Sequence, residues 1–137
     1  MKKSLHKLLA IAFSLTILFS SCSKAPDKIL PKKDGLWTIN YSTTTTVGTN
    51  SSVASGAYSA KFTDGTITIT QGGFSVACTW SYDKKNKTVT VSYPGFPSQT
   101  YNVEEMKAKS EKWTSHTTET SGSITTTVDE IWTLTKV

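Results

Sequence analysis

From Gly35 to the end of the chain, apolar residues recur at every second position, the period of a strand with one buried face. Trp37, Ile39 and Tyr41 share one face, with Leu36, Thr38 and Asn40 on the other. Ile67 and Ile69 alternate with Thr66, Thr68 and Thr70. The clearest run sets Phe74, Val76, Cys78, Trp80 and Tyr82 against Ser75, Ala77, Thr79 and Ser81. Val89, Val91 and Tyr93 repeat the pattern, followed by Tyr101 and Val103, then Trp113. Ile124, Val128, Trp132 and Leu134 close it. Turn signals separate the runs: "GTNSS", "TDGT", "TQGG", "DKKNK", "YPGFPS" and "TSGS". "EEMKAKSEK" has no apolar stripe at helical spacing and reads as two strand ends around a loop. The pattern predicts about eight strands, each paired to the next through a short turn, and no convincing helix of about ten residues.

Such an all-β antiparallel meander protects its edges best by closing into an up-and-down barrel, the alternative being a two-sheet β-sandwich. Every connection is short and none is long enough for the crossover of a Greek key, which favours the barrel.

The first residues follow a different rule. Lys2, Lys3 and Lys7 precede an apolar run from Leu8 to Phe19, then Ser20, Ser21 and Cys22. That run is too short to cross a bilayer core, which takes ~20 residues, and has the layout of an export signal. Residues 1–21 are therefore expected to be a signal peptide. Residues 22–34 follow as a tether with Pro26 and Pro31, long enough to reach at most ~40 Å when extended. Residues 35–137 form one domain.

Charge adds little. The chain carries +5, but without Lys2, Lys3 and Lys7 the balance is 12 basic against 10 acidic residues, or +2. Four of the remaining lysines (Lys24, Lys28, Lys32 and Lys33) lie in the tether, so the domain has no basic footprint for nucleic acid.

"LFSSC" resembles the lipobox of bacterial lipoproteins, in which the cysteine becomes the lipid-modified N-terminus. Lipidation of Cys22 implies anchoring in the cell envelope, the outer membrane being the expected site, with either face open. Cys78 is then left without a disulfide partner and reads as a small buried hydrophobe.

Taken with that lipobox, Gly35 and Trp37, Asp64-Gly65-Thr66, the Trp80–Asp83 hairpin and the closing Trp132–Lys136 strand resemble the small lipocalin-like lipoproteins of Bacteroidota. The resemblance implies a lipocalin-like barrel with Trp37 at its closed base and a small hydrophobic ligand. The second motif of larger lipocalins is missing, and so is their late Arg: all fifteen basic residues are Lys, which leaves Lys136 to approach the Trp as a point charge.

Candidate chemistry is sparse. His116, the one histidine beyond the signal, faces outward by parity. Glu104-Glu105 and Asp129-Glu130 are neighbours along strands, so each pair points to opposite faces. Ser81 and Lys84 match S-x-x-K, but at a strand end rather than a helix start. No His, Cys or carboxylate set converges for a metal. The chain is expected to be no enzyme and to need no cofactor. The three glycosylation-type triplets "NYS", "NSS" and "NKT" are chance matches in a chain this rich in Ser and Thr.

The inward aromatic set remains. It either fills the core or lines a cavity, since about eight strands permit both. A cavity is expected to have Tyr41, Trp80, Tyr82, Tyr93, Tyr101 and Trp113 on its walls or mouth. Glu105 and Glu130 have inward parity and are candidate polar groups there.

Overall fold

The computed structural model describes residues 25–137. A single-turn helix α1 (Pro26–Ile29) leads into eight strands: β1 (Leu36–Val47), β2 (Asn50–Thr63), β3 (Thr66–Gln71), β4 (Phe74–Asp83), β5 (Thr88–Ser92), β6 (Gln99–Lys107), β7 (Ser110–Ser121) and β8 (Ile124–Lys136). All pair antiparallel in chain order, and β8 returns to β1 from Trp37↔Lys136 to Val47↔Thr126, which closes the barrel. That continuous closing ladder excludes the two-sheet sandwich.

One end of the barrel is plugged. Trp37, Phe62, Trp113 and Leu134 are all at most 1 % exposed, and with Ile67 and Val89 they fill the interior there. Phe62 meets Trp80 and Trp113 edge-on at centroid distances of 5.5 and 6.2 Å. These offset geometries add to the area that each ring buries.

The segment read as a tether is built into this plug over its second half. Ile29 and Leu30 are buried, and the Trp37 Nε1–H donates to the Leu30 carbonyl at 3.0 Å. Lys136 Nζ donates to the Lys32 carbonyl at 2.9 Å and lies 5.2 Å from the Trp37 ring centroid. The lysine thus covers the indole as a charge over a π-face, the role open to it without an Arg. Packing against the barrel thus reaches back to Pro26, upstream of Gly35. Period-two reading is blind to this segment, because a single turn contributes only two apolar side chains. Residues 1–21, read as a signal peptide, and Cys22 lie outside the described residues.

Gly35 explains the first element of the G-x-W motif. Its φ is +64°, and a Cβ there would stand 2.1 Å from the Phe62 carbonyl oxygen. The Gly35 carbonyl itself accepts the Phe62 N–H at 2.8 Å, so the chain must pass this close to enter the barrel.

Two further differences from the sequence reading have local causes. β2 begins at Asn50, inside the segment read as a turn, and its residues 50–55 are exposed. With neither face buried, that stretch carries no alternation to read. The β6–β7 register shifts between Val103 and Glu105, a β-bulge that resets parity. Glu105 therefore points to solvent, where Lys107 Nζ pairs with it at 3.2 Å, and Met106 turns towards the core instead.

Strand lengths differ around the barrel. β1, β2, β7 and β8 pair with one another far beyond the ends of β3 and β5. Among the described residues, β2 at 50–58 and β7 at 115–121 have a strand partner on one side only. This polar sheet is rich in Thr and Ser.

Candidate functional site

The end opposite α1 is open, and the inner face of the barrel climbs into it. On β4 the inward residues pass from buried Trp80 and Cys78 to Val76, 46 % exposed, and Phe74, 83 % exposed. Across the mouth stand Tyr58 of β2, Ile69 and Gln71 of β3, Tyr93 at the end of β5, and Glu130 and Trp132 of β8. Together they enclose a cup of about 330 Å3.

Its floor is a stack of rings. Trp132 lies 4.8 Å from Tyr101, centroid to centroid, and both are at most 1 % exposed; Trp113, 6.0 Å from Trp132, begins the filled core beneath them. Below this layer the barrel is filled. Tyr58 meets Trp132 edge-on at 6.5 Å and stacks on Tyr41 at 4.5 Å. Gly56 makes that stack possible, since a Cβ there would lie 2.7 Å from the Tyr41 hydroxyl. At the rim, Gln71 Nε2 donates to the Ala57 carbonyl at 3.4 Å, linking β3 to the long β2 strand.

Glu130 is the one charged residue of the lining and is half-buried. Its carboxylate accepts the Trp132 indole N–H and is hydrogen bonded to the Tyr101 hydroxyl, which also interacts with Tyr93. The neighbouring phenols are held neutral. Burial, then the hydrogen bond with Tyr41, pushes Tyr58 up to about 12. Burial likewise raises Tyr93 and Tyr101 above the ordinary phenol range, with Glu130 adding to both shifts.

The sequence-predicted residues divide between the two ends. Tyr93 lines the cup, Tyr101 lies in its floor, and Tyr41 backs Tyr58. Trp80 and Trp113 belong to the filled core, where Trp80 Nε1–H donates to the Thr63 carbonyl at 3.0 Å. Tyr82 sits towards the plugged end with its hydroxyl 3.9 Å from Met106 Sδ. Trp37 is buried at the plugged end. Tyr58, Phe74, Val76 and Trp132 were not singled out as lining. Phe74, Val76 and Trp132 were already legible on the inward face, but their depth depends on how far each strand extends.

A fully buried acid, Glu111, lies outside the sequence-predicted set. Glu111 is 1 % exposed, accepts the Trp113 Nε1–H at 2.8 Å, and leaves its Oε1 without a partner. Burial raises its pKa to about 7, with the indole hydrogen bond opposing the rise. Counting back in twos from Trp113 reaches it.

Other features offer less. A larger groove of about 600 Å3 beside α1 is lined by Lys28, Lys32, Lys33 and Lys61 together with Asp27, Asp34 and Asp64, so its charges largely offset one another. His116 faces outward as expected, its Nδ1 against Asp129 and its Nε2 3.1 Å from Thr118 Oγ1. The ring and the carboxylate are more than half exposed, which leaves this trio screened by water. Among the described residues no three His, Cys, Asp or Glu side chains gather as metal ligands. Cys78 is buried, and burial raises its thiol pKa.

Compared with protein-family models, curated proteins and solved structures, the chain matches none. The lipocalin-like resemblance thus rests on the closed eight-stranded barrel and on the motifs in the chain.

Proposed function

We propose that this chain is a lipoprotein of the bacterial cell envelope, held by lipid on Cys22 in the outer membrane, whose barrel mouth binds a small hydrophobic ligand without catalysis. The observation that carries the ligand reading is the aromatic cup of about 330 Å3. Its volume lies at the lower end of the ~300–1,000 Å3 typical of small-molecule sites, and its lining has the usual mix of apolar walls and few polar groups. The anchor reading is supported by the signal-like N-terminus and the lipobox-like "LFSSC".

A second reading is a structural or interaction protein. The filled lower barrel and the half-paired stretches of β2 and β7 favour it, because open strand edges can add a strand from a partner. Native mass spectrometry of the protein purified from its own cells separates the two. A small-molecule adduct supports the cup, whereas the bare mass together with a stoichiometric protein partner supports the second reading. For the anchor, Cys22→Ala is expected to release the protein from membranes; unchanged membrane association would refute lipidation there.

A further inference from the structure

We infer that the cup selects an organic cation, an ammonium head on an apolar or aromatic body. This rests on the reading of the cup as a ligand site. Among the described residues Glu130 is the only charged group in the lining, and it sits half-buried among rings. Three acids of the nearby strands are matched: Lys112 holds Glu104 at 2.8 Å, Lys107 holds Glu105 at 3.2 Å, and His116 faces Asp129, while Glu111 is buried below the cup. Among the described residues Glu130 has no cationic partner, only the neutral donors Trp132 and Tyr101.

A neutral acceptor would also satisfy the Trp132 indole, though with a weaker bond, so that contact alone does not require a full negative charge. Partial burial of an unmatched carboxylate costs free energy, which an incoming cation offsets. The walls add to this. Tyr58, Phe74, Tyr93 and Trp132 present four π-systems around the cup, and a cation over such faces is attracted by the ring quadrupole. The two lining phenols stay protonated, so they contribute neutral rings and hydroxyls rather than competing charges. The same chemistry already operates at the plugged end, where Lys136 lies 5.2 Å from the Trp37 ring centroid. An anionic ligand finds no lysine in the lining to meet it.

The test is isothermal titration of the full chain with three probes that share one body: 4-phenylbutylammonium, 4-phenylbutanol and 4-phenylbutyrate. The ammonium is expected to bind at least about tenfold more tightly than the alcohol, and the carboxylate more weakly than either, from charge pairing and ring contacts together. Glu130→Gln, which keeps an acceptor for Trp132, is expected to bring the ammonium and the alcohol within about threefold of each other. Should that variant not fold, the wild-type protein still decides: added salt must weaken the ammonium and leave the alcohol unaffected. Equal binding of ammonium and alcohol overturns the charge preference and leaves the ligand site standing. Binding of none of the three overturns both.

Discussion

Replacing Glu111 by Gln is expected to make the protein more stable at neutral and alkaline pH while changing little at acid pH. Glu111 faces Met106 across β6 and Leu134 across β8, shares its strand with Trp113, and lies near enough to Tyr82 to raise that phenol's pKa. Among the described residues no cation answers it in that apolar setting. Folding therefore raises its pKa from 4.5 to about 7. At pH below 4.5 the carboxyl is protonated in both folded and unfolded chains, and its ionisation contributes nothing. Between 4.5 and about 7 the unfolded chain has released the proton while the folded chain keeps it, so stability falls as pH rises. The slope is at most about 1.4 kcal/mol per pH unit, which over this window amounts to a penalty on the order of 3 kcal/mol. Above about 7 the penalty is complete and constant. Gln keeps an acceptor for the Trp113 indole and cannot ionise. Urea unfolding of both proteins at pH 4.5, 6 and 8 measures the difference directly. The gap is expected to open from near zero to about 3 kcal/mol, other titrating groups cancelling in the comparison. Parallel stability profiles would refute the assignment of a strained buried acid.

Other expected outcomes concern the plug and the surface. Leu30→Ala removes a fully buried side chain from the end of the barrel and is expected to cost about 2–5 kcal/mol in urea unfolding; a loss near zero would return this segment to the tether. Gly35→Ala must place a methyl 2.1 Å from the Phe62 carbonyl at a φ of +64°. Strain in this backbone region costs about 1–3 kcal/mol before the clash is added, and an unchanged unfolding midpoint would contradict the geometry. His116→Ala removes an exposed pair with Asp129 and is expected to change stability by less than about 1 kcal/mol; a larger loss would mean that the outer face carries more than solvent contacts.

The strands that can be read in the chain are those with one buried face. β3, β4 and β5 alternate without a break, and the structure places them where the alternation predicts. The first half of β2 has two exposed faces, so its residues give no period even though their pairing with β1 is complete. The bulge at Val103/Glu105 shifts every later inward position of β6 by one, a change that no local residue announces. The dual burial of Ile29 and Leu30 depends on where the plugged end of the barrel lies, a long-range fact. For the cup, sequence parity correctly placed Glu130 and Tyr93 on the inner face. Parity cannot rank depth, so it does not separate Trp80 and Trp113, which pack in the interior, from residues on the walls or mouth.

The central claim is that the open end of the barrel, and not its filled interior, receives a small molecule. Two-dimensional NMR of the full chain titrated with 4-phenylbutylammonium tests it most directly. Shift changes are expected at Tyr58, Val76, Tyr93 and Trp132, with Trp37, Ile67 and Leu30 at the plugged end unmoved. Changes confined to the plugged end, or none at saturating probe, would contradict the account.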